Sequence, residues 1–329
     1  MPSPRVLITS FPFGEYCQDA LERLRSERIE FVLNPFGRRL KEEEIADLIS
    51  DFDVLIAGTE PITESVFAKA RRLRLIARVG IGLDSVDLIA ARARGIHVSY
   101  TPDAPAPAVA ELTLGLMLSL LRHIGPADRS VRGGGWRRLM GRRLDGLTVG
   151  VIGVGRVGVR VIRMIRAAFP ATTVLAHDVA PNAAVGAELG VRWVEPAVIF
   201  AEADIVTVHV PLTSSTRNLI AERELRAMKP TAFLVNTARG EIVNEADLAS
   251  ALRAGRLRGA AVDVFQEEPY VGELAALENA LLTCHMGSMS EDCRAQMEVE
   301  ATDEVVRFAR NEPLIRLVPD EEYAIASRQ

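Results

Sequence analysis

The stretch Leu147-Thr-Val-Gly-Val-Ile-Gly153-Val-Gly155-Arg156-Val157-Gly158 runs into Val-Arg-Val-Ile-Arg-Met-Ile-Arg166 and then Thr173-Val-Leu-Ala-His-Asp178. An apolar strand feeds a G-x-G-x-x-G turn, and a helix opens on its last glycine. Val161, Ile162, Ile165 and Phe169 recur at helical spacing, with Arg160, Arg163 and Arg166 on the other side. A second apolar strand then ends in an acid, 25 residues after the first glycine. Such glycines let the backbone turn tightly and approach a pyrophosphate, whose charge sits at the positive end of the helix. Asp178 is placed to accept hydrogen bonds from both hydroxyls of an adenosine ribose. Strand, turn, helix, strand and acid in register predict a Rossmann dinucleotide site. A carboxylate there repels a 2′-phosphate, and Val179-Ala180-Pro181-Asn182 offers no arginine to bind one, so NAD is expected over NADP.

The rest of the chain alternates short apolar strands with amphipathic helices, which predicts α/β sheets with parallel strands. Before the glycine turn, strands are expected at Val6–Thr9, Phe31–Leu33, Val54–Ala57, Leu75–Ala77 and His97–Ser99. They form a complete open unit that needs no dinucleotide fingerprint. Thr101-Pro-Asp-Ala-Pro-Ala-Pro107 interrupts the pattern and reads as a crossover between domains. An almost wholly apolar helix, Ala110 to Leu121, follows it. After Asp178, strands are expected at Asp204–Val208, Ala232–Val235, Gly259–Asp263 and Leu281–Thr283, then a long helix from about Ser290 to Asn311. The closing tail is too short to be a domain, and returning it to the first unit makes that unit discontinuous. The expected fold is therefore α/β, with two open parallel-sheet domains. A Rossmann NAD-binding domain (104–289) is inserted into a flavodoxin-like substrate domain (1–103 and 290–329).

Bulk properties narrow the function. Apolar content of 48%, charged content of 25% and a net charge of −5 describe an ordinary water-exposed protein with no global attraction to nucleic acid or anionic lipid. The longest apolar helix is too short to span a bilayer, and the N-terminus lacks a signal peptide's apolar core. Three scattered cysteines and five dispersed histidines give neither a disulfide framework nor a metal spacing. A cytoplasmic location is expected, with no metal, no nucleic acid and no membrane among its partners.

Ligands of open α/β sheets bind at the carboxyl ends of strands. Three successive strand ends in the second half carry chemistry: Asn236-Thr-Ala-Arg239-Gly-Glu, Asp263-Val-Phe-Gln-Glu-Glu268-Pro and Cys284-His285-Met-Gly-Ser288. A guanidinium, a carboxylate and an imidazole suit hydride transfer at a carbinol carbon. Histidine takes the hydroxyl proton, glutamate fixes its tautomer, and arginine holds a substrate carboxylate through paired hydrogen bonds. Each also has a plain reading as a helix-entry arginine, a solvated loop acid or a core histidine. Their joint occurrence at consecutive strand ends favours catalysis.

These motifs resemble the D-isomer-specific 2-hydroxyacid dehydrogenase family over nearly the whole chain, within a phosphoglycerate-dehydrogenase-like branch. The resemblance implies that Arg239, in N-x-x-R-G, binds the substrate carboxylate and carbonyl. It implies that Glu268, in D-V-F-x-x-E-P, pairs with His285, the general acid/base. It further implies that Asp263 contacts the nicotinamide amide and that Thr237, Ala238 and Gly287 line its pocket, with Arg239 and His285 at its edge. Gly153, Gly155, Arg156, Val157 and Gly158 carry the pyrophosphate, and His209-Val210-Pro211-Leu-Thr213 with Thr216 resembles the family's loop beside the adenosine. In Arg78-Val79-Gly80-Ile-Gly82, the backbone N–H groups of Val79 and Gly80 are expected to hold the substrate acid. Glu60, after strand 54–57, is a further substrate-side candidate. Two residues depart from the pattern: Cys284 stands where the family has proline, and Met289 follows Ser288 in place of a smaller residue. Cysteine frees backbone that proline would restrain.

The expected activity is NAD-dependent oxidation of a small anionic alcohol, first a D-2-hydroxyacid of the phosphoglycerate or glycerate kind. A hydroxyalkyl phosphonate or phosphite is the alternative substrate class, and an NAD(H)-sensing corepressor-like binding protein is the alternative outside enzymes. Arginines 129, 132, 137, 138, 142 and 143 surround Gly133-Gly-Gly-Trp136. They read as a solvated connection, or as groups reaching a substrate phosphate in a neighbouring subunit. Family members pair through this region, so a homodimer is expected.

Overall fold

Short runs of Val, Ile, Leu and Ala become strands buried on both faces, as parallel sheets covered by helices require. The computed structural model describes residues 3–327. The chain divides into two compact units, Met1–Pro105 with Met289–Gln329, and Ala106–Ser288.

The first unit holds β1 (Val6–Ile8), β2 (Phe31–Leu33), β3 (Val54–Ala57), β4 (Leu75–Arg78) and β5 (His97–Ser99). They lie in the order β2-β1-β3-β4-β5, all parallel, which is the flavodoxin-like arrangement. Residues of β1, β3 and β4 are buried throughout. The helix Glu291–Ala309 belongs to this unit and buries Cys293, Met297, Ala301 and Val305. Beyond it the chain runs along β5: Val318 N–H donates to the Val98 carbonyl at 2.9 Å, and Tyr100 N–H to the Arg316 carbonyl at 3.1 Å. That covers an edge which would otherwise expose unpaired backbone groups.

The second unit contains β6 (Thr148–Ile152), β7 (Thr173–His177), β8 (Arg192–Trp193), β9 (Ile205–Val208), β10 (Phe233–Asn236), β11 (Gly259–Val262) and β12 (Ala280–Leu282). Their order, β12-β11-β10-β9-β6-β7-β8, reverses direction at β6, the switch point of a Rossmann sheet. Alternate residues point to opposite faces. Ile152, Leu175, Val206 and Leu234 enter one core, and Val151, Val174, Ile205 and Val235 enter the other. Burying each such side chain stabilises the fold by about 1.5–3 kcal/mol, so a charge at Val206 would break the packing that supports the switch point.

Two expectations need correction, and one strand was not foreseen. The apolar helix spans Pro105–Leu121, so the proline-rich stretch starts a helix where a break was expected. Pro105 and Pro107 fall in the first turn, where N–H groups have no intrahelical acceptor. β8 was not foreseen, because a two-residue strand at the sheet edge carries no apolar run. The strand expected at 281–283 is Ala280–Leu282, one residue earlier, with Thr283 already in the loop. Among the described residues, no single helix is long and apolar enough to cross a membrane.

Candidate active site

The glycines of the 153–158 turn have separate physical reasons. Gly153 has φ +90°, and a Cβ there would lie 2.7 Å from the His209 carbonyl. A Cβ on Gly158 would lie 2.1 Å from the Gly153 carbonyl oxygen, so the helix Arg156–Ala168 can abut β6 only at glycine. A Cβ on Gly155 would meet nothing within 4 Å. The protein's own packing therefore demands two of the glycines, and the third keeps open space over a helix N-terminus. Gly155 caps that helix with no side chain over its first amides. This is where a pyrophosphate fits, with its charge against the helix dipole. Arg156 and Val157 open the same helix. Asp178, just past β7, accepts from Val154 N–H at 2.7 Å and from Ala180 N–H at 2.9 Å. Each carboxylate oxygen keeps a further lone pair for a ribose hydroxyl. The residues present fit NAD.

The His209-Val210-Pro211 loop leaves β9 and packs over Gly153. Burial pushes the His209 imidazole down to about 3, so the ring is neutral at physiological pH, and its Nε2 bonds the buried Thr207 hydroxyl at 3.0 Å. The Thr216 hydroxyl donates to the Pro211 carbonyl at 2.6 Å and accepts from Thr213 N–H at 2.8 Å. Its first job here is to knot this loop.

The ends of β10, β11 and β12 carry the chemical groups. Asn236 ends β10 and is buried; its amide accepts from Ala238 N–H at 3.0 Å and donates to the Arg239 carbonyl at 2.8 Å. Thr237 shares a 2.8 Å hydroxyl–hydroxyl bond with Thr113 of the helix Pro105–Leu121, a partner that sequence patterns did not reveal. The Arg239 guanidinium is half-buried and donates to the Ala238 carbonyl at 2.7 Å. Gly240 packs directly on the Phe265–Gln266 backbone, in the segment that leads into Glu268. Glu268 and His285 meet: His285 Nδ1 lies 2.9 and 3.1 Å from the two carboxylate oxygens, and Phe265 N–H donates to the same carboxylate at 3.1 Å. A carboxylate can only accept, so Nδ1 carries the proton and Nε2 is left as the basic nitrogen. Nε2 has no hydrogen-bond partner among the described residues. Asp263 and Gly287, expected at the nicotinamide, are buried and bonded to each other, with Gly287 N–H donating to Asp263 at 2.9 Å.

The substrate-side candidates of the first unit are Val79, Gly80 and Glu60. Val79 N–H donates to the Ala57 carbonyl, and Gly80 N–H to the Thr101 hydroxyl, both at 2.8 Å. Both amides are thus satisfied from within the unit. The next two amides, Ile81 and Gly82, have no acceptor among the described residues. The buried Arg78 guanidinium fixes that turn, donating to the Gly82 carbonyl at 2.7 and 3.1 Å and to the Ala57 carbonyl at 3.3 Å. Glu60 is 1% exposed and bonded to the Thr9 hydroxyl and to Gly58 N–H. It supports the chain behind the turn and offers no surface to a ligand.

Residues 114–287 match the family profile described as D-isomer specific 2-hydroxyacid dehydrogenase, NAD binding domain. The D-3-phosphoglycerate dehydrogenase of Methanocaldococcus jannaschii is 38% identical over 279 residues, covering 83% of this chain and 53% of its own length. The chain thus spans about half of that relative. The glyoxylate reductase of Korarchaeum cryptofilum is 36% identical over 327 residues, covering 97% of this chain and 96% of its own. The crystal structure of the TT0316 protein from Thermus thermophilus superimposes with a TM-score of 0.87 at 35% identity, over 96% of this chain and 100% of that one.

Proposed function

The chain belongs to the D-isomer specific 2-hydroxyacid dehydrogenase family, and from that premise we propose that it interconverts a small 2-hydroxyacid and its 2-oxoacid with NAD. The observation that carries this reading is the His285 Nδ1–Glu268 pair at the carboxyl end of the Rossmann sheet, with Nε2 unbonded among the described residues. NAD, when bound, supplies the hydride acceptor or donor. His285 Nε2 takes the proton of the substrate hydroxyl in oxidation and returns it in reduction. Glu268 fixes the tautomer and stabilises the imidazolium. Arg239, its loop held by Asn236, binds the carboxylate through paired hydrogen bonds.

Relatives named for phosphoglycerate, glyoxylate and hydroxypyruvate support an unbranched 2-hydroxyacid or 2-oxoacid of two or three carbons. They give no support to phosphonate or phosphite oxidation, nor to a corepressor role. Ile124, Val131, Trp136 and Met140, all exposed in the single chain, support pairing with a second copy through the segment after the helix Pro105–Leu121. Among the arginines there, Arg142 is held by Asp204 at 3.1 Å, Arg132 by Asp128 and Arg143 by Asp145, which supports a connecting role for those three.

NADH oxidation measured against glyoxylate, hydroxypyruvate and phosphohydroxypyruvate, in wild type and His285→Ala, tests the proposal. Wild type turns over at least one of these acids. The variant binds NADH within about threefold of wild type and loses 100-fold or more in kcat, the scale of one general acid/base. Retained turnover in the variant refutes the assignment.

A further inference from the structure

The segment that delivers Glu268 to His285 is held by a side chain from the helix that follows Arg239. Gln266 N–H donates to the Glu245 carboxylate at 2.6 Å, and the preceding amide, Phe265 N–H, donates to Glu268 at 3.1 Å. Two successive amides thus serve two carboxylates. Among the described residues, and apart from Glu268 itself, no other hydrogen bond reaches the backbone of residues 265–267. Packing supplies the other restraints. A Cβ on Gly240 would collide with the Phe265 carbonyl and Gln266 nitrogen, so only glycine lets the chain after Arg239 lie against that peptide. The Phe265 ring stacks on Tyr270, with centroids 4.2 Å apart and planes 21° from parallel.

Glu245 works from a fixed base. It is the first residue of the helix Glu245–Arg253, which Asn244 caps by accepting from Asp247 N–H at 3.0 Å. The link from Arg239 to that helix is anchored by buried Ile242 and Val243. It is also tied by backbone bonds from Val243 to Gly240 at 3.2 Å and from Asn244 to Ile220 at 2.9 Å. The chain after Arg239 therefore grips the peptide before Glu268 at two points, by contact at Gly240 and by a hydrogen bond at Glu245. The plain reading of an acid in a helix's first turn is that its charge favours the positive helix end. That role needs charge and no particular reach, whereas a bond to the Gln266 amide needs reach and an acceptor oxygen.

We propose that Glu245 is a positioning residue. Through the Gln266 amide it fixes the backbone that presents Glu268 to His285, and so keeps that pair in register with the loop of Arg239. The inference rests on the proposed acid/base role of His285. Gly240 stops the peptide from moving toward the Arg239 loop but does not stop it from moving away. The bond from Glu245 supplies the missing restraint. Arg239 has its own support, since Asn236 grips Ala238 N–H and the Arg239 carbonyl. Loss of the Glu245 bond therefore reaches the proton-transfer pair and spares the substrate-binding arginine.

Two conservative variants separate reach from charge at this half-exposed site. Glu245→Gln keeps the length and an acceptor oxygen but loses the charge. Glu245→Asp keeps the charge at the helix end but is one carbon shorter, about 1.5 Å. The experiment measures kcat at saturating NADH, KM for the oxoacid, and the NADH dissociation constant by fluorescence. In Glu245→Asp, kcat is expected to fall about tenfold, the scale of one charge-assisted hydrogen bond, with KM and the NADH constant within about threefold. Glu245→Gln is expected to turn over at least about threefold faster than Glu245→Asp, because its oxygen still reaches the Gln266 amide. A smaller margin between the two, or the reverse order that a helix-end charge would give, overturns the proposal. So does a KM or an NADH constant that moves as far as kcat. His285→Ala, run in parallel, separates the two failures. If it keeps turnover, the acid/base reading fails, whereas an inactive His285→Ala beside a fully active Glu245→Asp sinks only this inference.

Discussion

Gly155→Ala is the sharpest perturbation of the coenzyme turn, because the protein itself gives the new methyl nothing to strike. The backbone at Gly155 has φ −78° and ψ −151°, extended values that alanine adopts, and no atom lies within 4 Å of the added carbon. Folding stability therefore holds or rises by about 0.4–1 kcal/mol, since alanine restricts the unfolded chain more than glycine does. That corresponds to an increase of roughly 1–4 °C in the melting temperature. The same methyl stands where a pyrophosphate must approach the first amides of the helix Arg156–Ala168. Losing one charge-assisted hydrogen bond costs about 1.5–3 kcal/mol, or roughly 10- to 150-fold in affinity. Thermal unfolding of the free protein and NADH fluorescence titration read the two effects separately. Gly158→Ala is the control with the opposite balance. Its Cβ would lie 2.1 Å from the Gly153 carbonyl, so helix and strand must part, and stability falls by about 1–3 kcal/mol or more. If Gly155→Ala binds NADH within threefold of wild type, the pyrophosphate does not lie over this turn, and the account of the three glycines is wrong.

Other outcomes follow from the same structure. His209 is neutral in the fold, with its imidazole pushed down to about 3 by burial, while in the unfolded chain it protonates near 6.5. Stability is complete above pH 6.5 and declines toward pH 3, at up to about 1.4 kcal/mol per pH unit; denaturant midpoints at pH 7.5 and 5, compared with His209→Gln, show whether the slope belongs to this residue. Arg294 and Glu298 form a buried pair at 2.8 Å that also holds Ser10 and Gly14 of the first unit. Glu298→Ala strands the guanidinium and costs about 3–5 kcal/mol, seen in chemical denaturation, while a loss under 1 kcal/mol contradicts the burial argument. Burial raises the Cys293 thiol to about 11, so it resists alkylation at pH 8 until the protein unfolds, whereas exposed Cys284 reacts in the native state. Peptide mapping after iodoacetamide treatment distinguishes them, and early labelling of Cys293 would contradict the packing of its helix.

The sheets were readable because β1 and β3 are uninterrupted apolar runs, and β4 and β9 are broken only by Arg78 and Thr207, a pattern that parallel strands buried on both faces impose. The pairing of Glu268 with His285 was readable through their side chains, whose hydrogen-bonding chemistry is written in their residue types. Backbone groups leave no such mark. Whether the Val79 and Gly80 amides are open depends on Ala57 and Thr101, which stand far from the turn in sequence. Glu60 looked like a substrate group because it follows a strand end. Its burial against Thr9 is a tertiary fact with no local signature. Thr113 escaped notice for the same reason: one hydroxyl in an apolar helix gives no sign of reaching across to Thr237.

The return of residues 289–329 to the first unit has a consequence for biosynthesis. On the ribosome, the first five strands emerge early, yet the helix Glu291–Ala309 and the segment that shields β5 are translated only after the whole of 106–288. At typical rates the intervening 106–288 takes roughly ten to forty seconds to appear. Throughout that delay the nascent chain holds a half-roofed sheet with an open margin, while the later-translated Rossmann unit has its own sequence complete first. The coenzyme-binding half is therefore the one able to mature first, and the other half closes only once the helix Glu291–Ala309 and the segment beside β5 have emerged.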